Sequence, residues 1–113
     1  MKRGEIWWAS MPEPAGSGPG FRRPVLIVSD DSFNRSGIST VIVAVITGNV
    51  RLADAPGNLK VVGRGTGLPK ASVINVSQLV TLDKAMATTR LGQLGPAQLA
   101  AVDKGLRLVL GLH

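Results

Sequence analysis

Arg22 and Arg23 stand directly in front of Pro24 and the apolar run Val25-Leu26-Ile27-Val28, an arrangement suited to holding a phosphate. The ring of Pro24 fixes its own φ and biases Arg23 towards extended backbone, so the guanidinium leaves the mouth of a strand from a defined position. Such a guanidinium can fork onto phosphate oxygens. On the residues alone, a solvated surface arginine is an equal alternative. Thr47 is a second candidate, because its hydroxyl emerges where the apolar run from Thr40 to Ile46 gives way to Gly48-Asn49. A plain strand end followed by a turn is the commoner fate of such a threonine. Asn75 and Ser77 lie two positions apart in an alternating segment and so share one face of a strand, where they can line a site.

Other chemistries are excluded by composition. The chain has no cysteine and a single histidine, His113, which removes thiolate metal sites, zinc or haem ligation, cysteine nucleophiles and histidine acid/base catalysis within the body. No metal and no cofactor is expected. Gly63-Arg64-Gly65-Thr66-Gly67 looks like a phosphate loop but lacks the strand, loop and helix context and the following lysine. What remains is electrostatic catalysis on a phosphodiester, with Arg23 and hydroxyl or amide donors stabilising the charge that develops on phosphoryl oxygens. RNA brings its own nucleophile, the 2′-hydroxyl beside the scissile phosphate, which DNA lacks. No general base is assignable, since Glu5, Glu13, Asp30, Asp31, Asp54, Asp83 and Asp103 show no pairing in sequence.

A chain of 113 residues suffices for one domain, 1–113, with a core of its own. Thirteen Lys and Arg against seven Asp and Glu leave a charge of +6, which favours a polyanionic partner. Nucleic acid ranks first, an acidic protein second and an anionic membrane last, because the one good helix carries only Lys104 and Arg107. No stretch is apolar enough for a signal peptide or a membrane span, so a soluble, cytoplasmic protein is expected. Strands are expected over Gly4–Ser10, Val25–Val28, Thr40–Ile46, Leu59–Val62, Ser72–Thr81 and within Thr88–Leu94, with one helical turn between Asp30 and Gly37. The unbroken apolar run from Val41 to Ile46 reads as a central strand buried on both faces. Ala15 to Gly20 is a glycine-rich loop, either a ligand cover or a plain hairpin connection. Pro96 opens a helix on which Leu99, Val102, Leu106 and Val109 form one stripe. Leu108, Leu110 and Leu112 widen it, either for a subunit contact or for deeper burial.

Lys2-Arg3-Gly4-Glu5-Ile6-Trp7, Gly16-Ser17, Arg23-Pro24-Val25-Leu26-Ile27-Val28, Phe33-Asn34-Arg35, Ile46-Thr47, Ala55-Pro56-Gly57-Asn58, Leu68-Pro69-Lys70 and Val80-Thr81-Leu82-Asp83-Lys84 together resemble the MazF/PemK toxins over nearly the whole chain. The resemblance implies a mainly β fold, a small Src-homology-3-like β-barrel of the PemK/CcdB type with a C-terminal helix. It also implies a homodimer and a cognate acidic antitoxin that lies over the RNA-binding surface. The implied activity is that of an mRNA interferase: ribosome-independent, metal-independent, sequence-specific cleavage of single-stranded mRNA through 2′-hydroxyl attack. Arg23 and Thr47 fall on the family's catalytic arginine and threonine. Ser17, Phe21, Arg22, Asn49, Lys70, Asn75, Ser77 and Gln78 complete the candidate RNA-binding set, and the loop Gly16–Gly20 corresponds to the one that covers RNA. The chain departs from the family at Gly18-Pro19, where a polar pair is usual, and at Asn75 and Ser77, where the PemK branch has Arg and Asp as proposed acid and base. Catalytic weight therefore moves to Arg23 and Thr47. The alternative is a non-catalytic interaction protein on the same barrel, an RNA-binding module or a toxin directed at a protein in the manner of CcdB.

Overall fold

The computed structural model describes residues 1–11 and 21–113; the loop expected at Gly16–Gly20, with Ser17, lies outside them. Six strands form one antiparallel sheet: β1 Glu5–Met11, β2 Phe21–Ile27, β3 Thr40–Thr47, β4 Leu59–Val61, β5 Ser72–Asp83 and β6 Ala87–Gln93, in the order β4-β5-β3-β2-β1-β6. A short helix α1, Asp31–Arg35, separates β2 from β3, and a 3₁₀ turn, Val50–Asp54, follows β3. The terminal helix α2 spans Pro96–Leu110. The expected strands and helix are all present.

β3 is buried on both faces, as its unbroken apolar run dictates. One face packs Ile6, Leu26, Ala44, Ile46, Ile74 and Val76 against Val102 and Leu106 of α2. The other packs Ala9, Val25, Ile27, Val41, Val43, Val45 and Leu82. The sheet curls until the turn after β4 meets β6. A methyl group on Gly67 would lie 2.1 Å from Leu91 O, and one on Gly92 would lie 2.6 Å from Gly65 O, so only glycines permit this closure. Thr66, fully buried, donates its hydroxyl within the turn, to Val62 O at 3.1 Å or Gly63 O at 3.0 Å. The Gly63–Gly67 stretch is thus a packing device.

Several of the resembling motifs are structural. Arg3 donates from Nε to Val28 O (2.8 Å) and pairs with Asp103 of α2 (2.6 Å), tying the chain's start to the helix. Asn34 is buried and donates to Ser29 O (2.9 Å), while Lys84 Nζ donates to Asn34 O (2.8 Å).

Two expectations change. The strand begins at Phe21, not Val25, because residues 21–23 pair with β1 through Met11↔Phe21, Ser10↔Arg22 and Ala9↔Arg23. The arginines therefore sit inside a strand rather than before it. Leu108, Leu110 and Leu112 are 63%, 52% and 58% exposed, which removes the reading of deeper burial.

Candidate nucleic-acid interface

Pro24 organises the site. β2 and β3 pair through Ile27↔Val43, Leu26↔Ala44 and Val25↔Val45, and the ladder stops where Pro24 has no N–H to donate. Carrying that register two residues further sets Arg23 opposite Thr47. Directly opposed residues in an antiparallel pair share a face, so this register puts both on the same side of the sheet. Arg23 and Thr47 are both half-buried.

Thr47 Oγ1 accepts from the Asn49 N–H (3.2 Å), so its hydroxyl hydrogen is left to donate elsewhere. Asn49 Oδ1 accepts from the Arg51 N–H (3.2 Å) and caps the 3₁₀ turn, which anchors the segment leaving Thr47. Lys70 lies along the same segment: a methyl group placed on Gly48 would fall 2.8 Å from its Cε and 3.0 Å from its Nζ. Lys70 thus lies beside the segment that leaves Thr47, and Arg23 is aligned with Thr47 by the register.

β5 supplies the third side. Its register on β3 jumps from Val45↔Asn75 to Ala44↔Leu79, leaving Val76, Ser77 and Gln78 bulged out of the ladder. Asn75 shares the face of Thr47 and Arg23, since it stands two positions along from Val73, the partner of Thr47. Asn75 Oδ1 accepts from the Ser77 Oγ–H (2.8 Å) and N–H (3.3 Å), and Ser77 and Gln78 are exposed. The face shared by Asn75 and Ser77 is therefore a bulge held by a side-chain hydrogen bond, in place of a regular alternation.

Arg22 is separated from this group. As the strand neighbour of Arg23 it points to the opposite face, where its guanidinium lies 4.9 Å from the centroid of the Trp8 ring. Phe21 opens β2 opposite Met11.

Most carboxylates are engaged at the far end of the sheet. Burial raises the Glu5 pKa, but hydrogen bonds from the Lys2 N–H and Trp7 Nε1–H and the charge of Arg90 outweigh it and leave the carboxyl below its ordinary 4.5. The Ser32 hydroxyl and N–H lower Asp30, which caps α1. Asp31 accepts from the Arg3 N–H (2.7 Å) and Asp103 pairs with Arg3. Among the described carboxylates only Asp54 lies in the segment that follows Thr47, and it is exposed. No group of three His, Cys, Asp or Glu side chains converges among the described residues.

Three residues of the site gave no chemical signal in sequence. Gly48 seats Lys70, Trp8 carries Arg22, and Asn58, visible only as part of the Ala55–Asn58 motif, binds the bulge to the 3₁₀ turn.

Comparison with known proteins agrees with this architecture. The family described as PemK-like, MazF-like toxin of type II toxin-antitoxin system matches residues 2–110. Endoribonuclease MazF6 of Mycobacterium tuberculosis (strain ATCC 25618 / H37Rv) is 46% identical over 112 residues, which cover 99% of this chain and 98% of that one. Endoribonuclease MazF of Staphylococcus saprophyticus is 35% identical over 113 residues, covering 100% and 93%. A mycobacterial endoribonuclease solved in complex with its cognate antitoxin superposes with a TM-score of 0.78 at 26% identity, covering 100% of this chain and 97% of that one.

Proposed function

Because the chain belongs to the PemK-like, MazF-like toxin family of type II toxin–antitoxin systems, we propose that it is an endoribonuclease that cleaves single-stranded mRNA without a metal. The mechanism rests on the β2–β3 register, Val25↔Val45 through Ile27↔Val43, which carried two residues past Val25 aligns Arg23 with Thr47. Arg23 forks onto the non-bridging oxygens of the scissile phosphate, and the Thr47 hydroxyl, already oriented by the Asn49 N–H, donates to a phosphoryl oxygen. The RNA 2′-oxygen attacks phosphorus, the P–O5′ bond breaks, and the products are a 2′,3′-cyclic phosphate and a 5′-hydroxyl. The 2′-hydroxyl proton passes to water, and the leaving 5′-oxygen takes one from water. The protein's contribution is alignment of the attacking oxygen and neutralisation of the phosphorane. Lys70 and Asn49 hold the adjoining backbone, and Asn75, with Ser77 and Gln78 of the bulge, faces the bases.

Incubation with a long RNA in chelator tests this. Wild type should cut and leave cyclic phosphate ends, while Arg23→Ala and Thr47→Ala should each lose about a hundredfold or more in kcat, the usual cost of one transition-state donor. Equal cutting by either variant overturns the assignment. Intact RNA with salt-sensitive binding would leave a binding module instead.

The partner is an acidic antitoxin that competes with RNA for the cationic surface; undiminished RNA binding in a saturated complex would refute a shared surface. The working form is a homodimer, for which the exposed leucines at the end of α2 are one available apolar surface. The setting is cytoplasmic; no helix among the described residues is long and apolar enough to cross a membrane.

A further inference from the structure

The bulge in β5 leaves a backbone N–H without a strand to meet it, and a side chain from a separate loop supplies the acceptor. Val76 N–H donates to Asn58 Oδ1 at 2.9 Å, and Nδ2 of the same amide donates to Leu52 O at 2.9 Å. Leu52 belongs to the 3₁₀ turn that follows Thr47, so one carboxamide spans the catalytic segment and the bulge that carries Ser77 and Gln78 and starts just after Asn75. Only a side chain that carries an acceptor and a donor on one carbon does both at this reach. The loop that presents Asn58 is itself anchored. Gly57 adopts φ +84°, and the backbones of Gly57 and Gly105 approach so closely that a methyl group on Gly105 would lie 2.1 Å from Gly57 O.

We propose that Asn58 is a positioning residue for RNA sequence preference. Its amide fixes where the bulge presents hydrogen-bonding groups to the bases relative to Thr47 and hence to the scissile phosphate. The proposal rests on the ribonuclease reading above. Asn58 touches no RNA. Its loss orphans the Val76 N–H and releases the bulge, and a recognition group displaced by about 1 Å reads its base poorly.

The test compares wild type, Asn58→Ala, Asn58→Asp and Val41→Ala by hydrogen exchange at the Val76 amide and by mapping cleavage sites on one long RNA. Val41 is fully buried near the other end of β3 from Thr47 and serves as the destabilised control. Asn58→Ala should lose Val76 protection and cut at additional sites, its preference for the best site falling about tenfold while kcat at that site changes less. Asn58→Asp retains the acceptor for Val76 and should keep more of the preference than Asn58→Ala; it also stands in if the alanine variant fails to fold. Val41→Ala should leave the cleavage map unchanged. Faster Val76 exchange with an unaltered map refutes the proposal alone, as does equal broadening by Val41→Ala. Intact RNA with wild type sinks the ribonuclease reading and the proposal together.

Discussion

Adding one methyl group at Gly48 should weaken RNA binding without weakening the fold. The new Cβ would lie 2.8 Å from Lys70 Cε and 3.0 Å from Nζ, too close for either atom to remain in place. Which side yields is decided by flexibility. Gly48 is exposed and is not among the glycines with positive φ, so its backbone accepts alanine, whereas the end of Lys70 is exposed and free to swing away. Replacing glycine at such a position restricts the unfolded chain and stabilises by about 0.4–1 kcal/mol. That corresponds to a Tm unchanged or raised by up to about 8 °C. Meanwhile an ammonium group leaves the vicinity of Thr47. One phosphate contact on a single strand contributes about 0.7 to the slope of log affinity against log salt, so it is worth about 2.6-fold between roughly 50 and 200 mM salt. Fluorescence anisotropy over a salt series, with labelled RNA whose scissile 2′-hydroxyls are replaced by 2′-deoxy so that it cannot be cleaved, measures this slope. Gly48→Ala and Lys70→Ala should each reduce it by about 0.7, and the double variant by no more than either. A full slope in Gly48→Ala beside a reduced one in Lys70→Ala would refute the steric argument. An unchanged slope in both would remove Lys70 from the interface, and a marked fall in Tm for Gly48→Ala would refute the reading of the backbone.

Arg22→Ala should lower RNA affinity a few-fold and leave kcat at saturating RNA near wild type, in contrast to Arg23→Ala. It should also shift tryptophan fluorescence through loss of the contact with Trp8, and a kcat loss equal to that of Arg23→Ala would erase the distinction between the two faces. Glu5 governs acid stability. Its folded pKa lies below the ordinary 4.5, so its stabilising contribution is fully present above that value and is lost as pH falls through the lowered one. Glu5→Gln should therefore be less stable at pH 7 yet show a flatter loss of Tm below pH 4.5; an unchanged acid limb would mean that the Lys2, Trp7 and Arg90 contacts do not hold the charge.

The elements were legible where one local signal sufficed. Val41 to Ile46 could only be a buried strand, and Pro96 with the spacing of Leu99, Val102 and Leu106 marked α2. Val109, the fourth member of that stripe, is 38% exposed, and Leu108, Leu110 and Leu112 near it are also exposed. The bulge was not legible. Ser72 to Thr81 alternates well enough to read as an uninterrupted strand, and the acceptor that stabilises the break sits on Asn58, in another loop.

By itself the sequence determined the class of chemistry: no thiol, no histidine within the body, a cationic chain, and an arginine ahead of a proline. The order of its motifs, from Lys2 to Lys84, determined the family, and the roles proposed for Arg23 and Thr47 follow from their positions in those motifs. Only the tertiary structure decided how those residues meet. Arg22 and Arg23 look equivalent as a pair, but pairing with Ser10 and Ala9 extends the strand back to Phe21 and sends them to opposite faces. The β2–β3 register aligns Arg23 with Thr47, and the pairing of these two strands stops at Val25↔Val45, next to Pro24. Register and bulges depend on contacts between segments far apart in the chain, which no local pattern encodes.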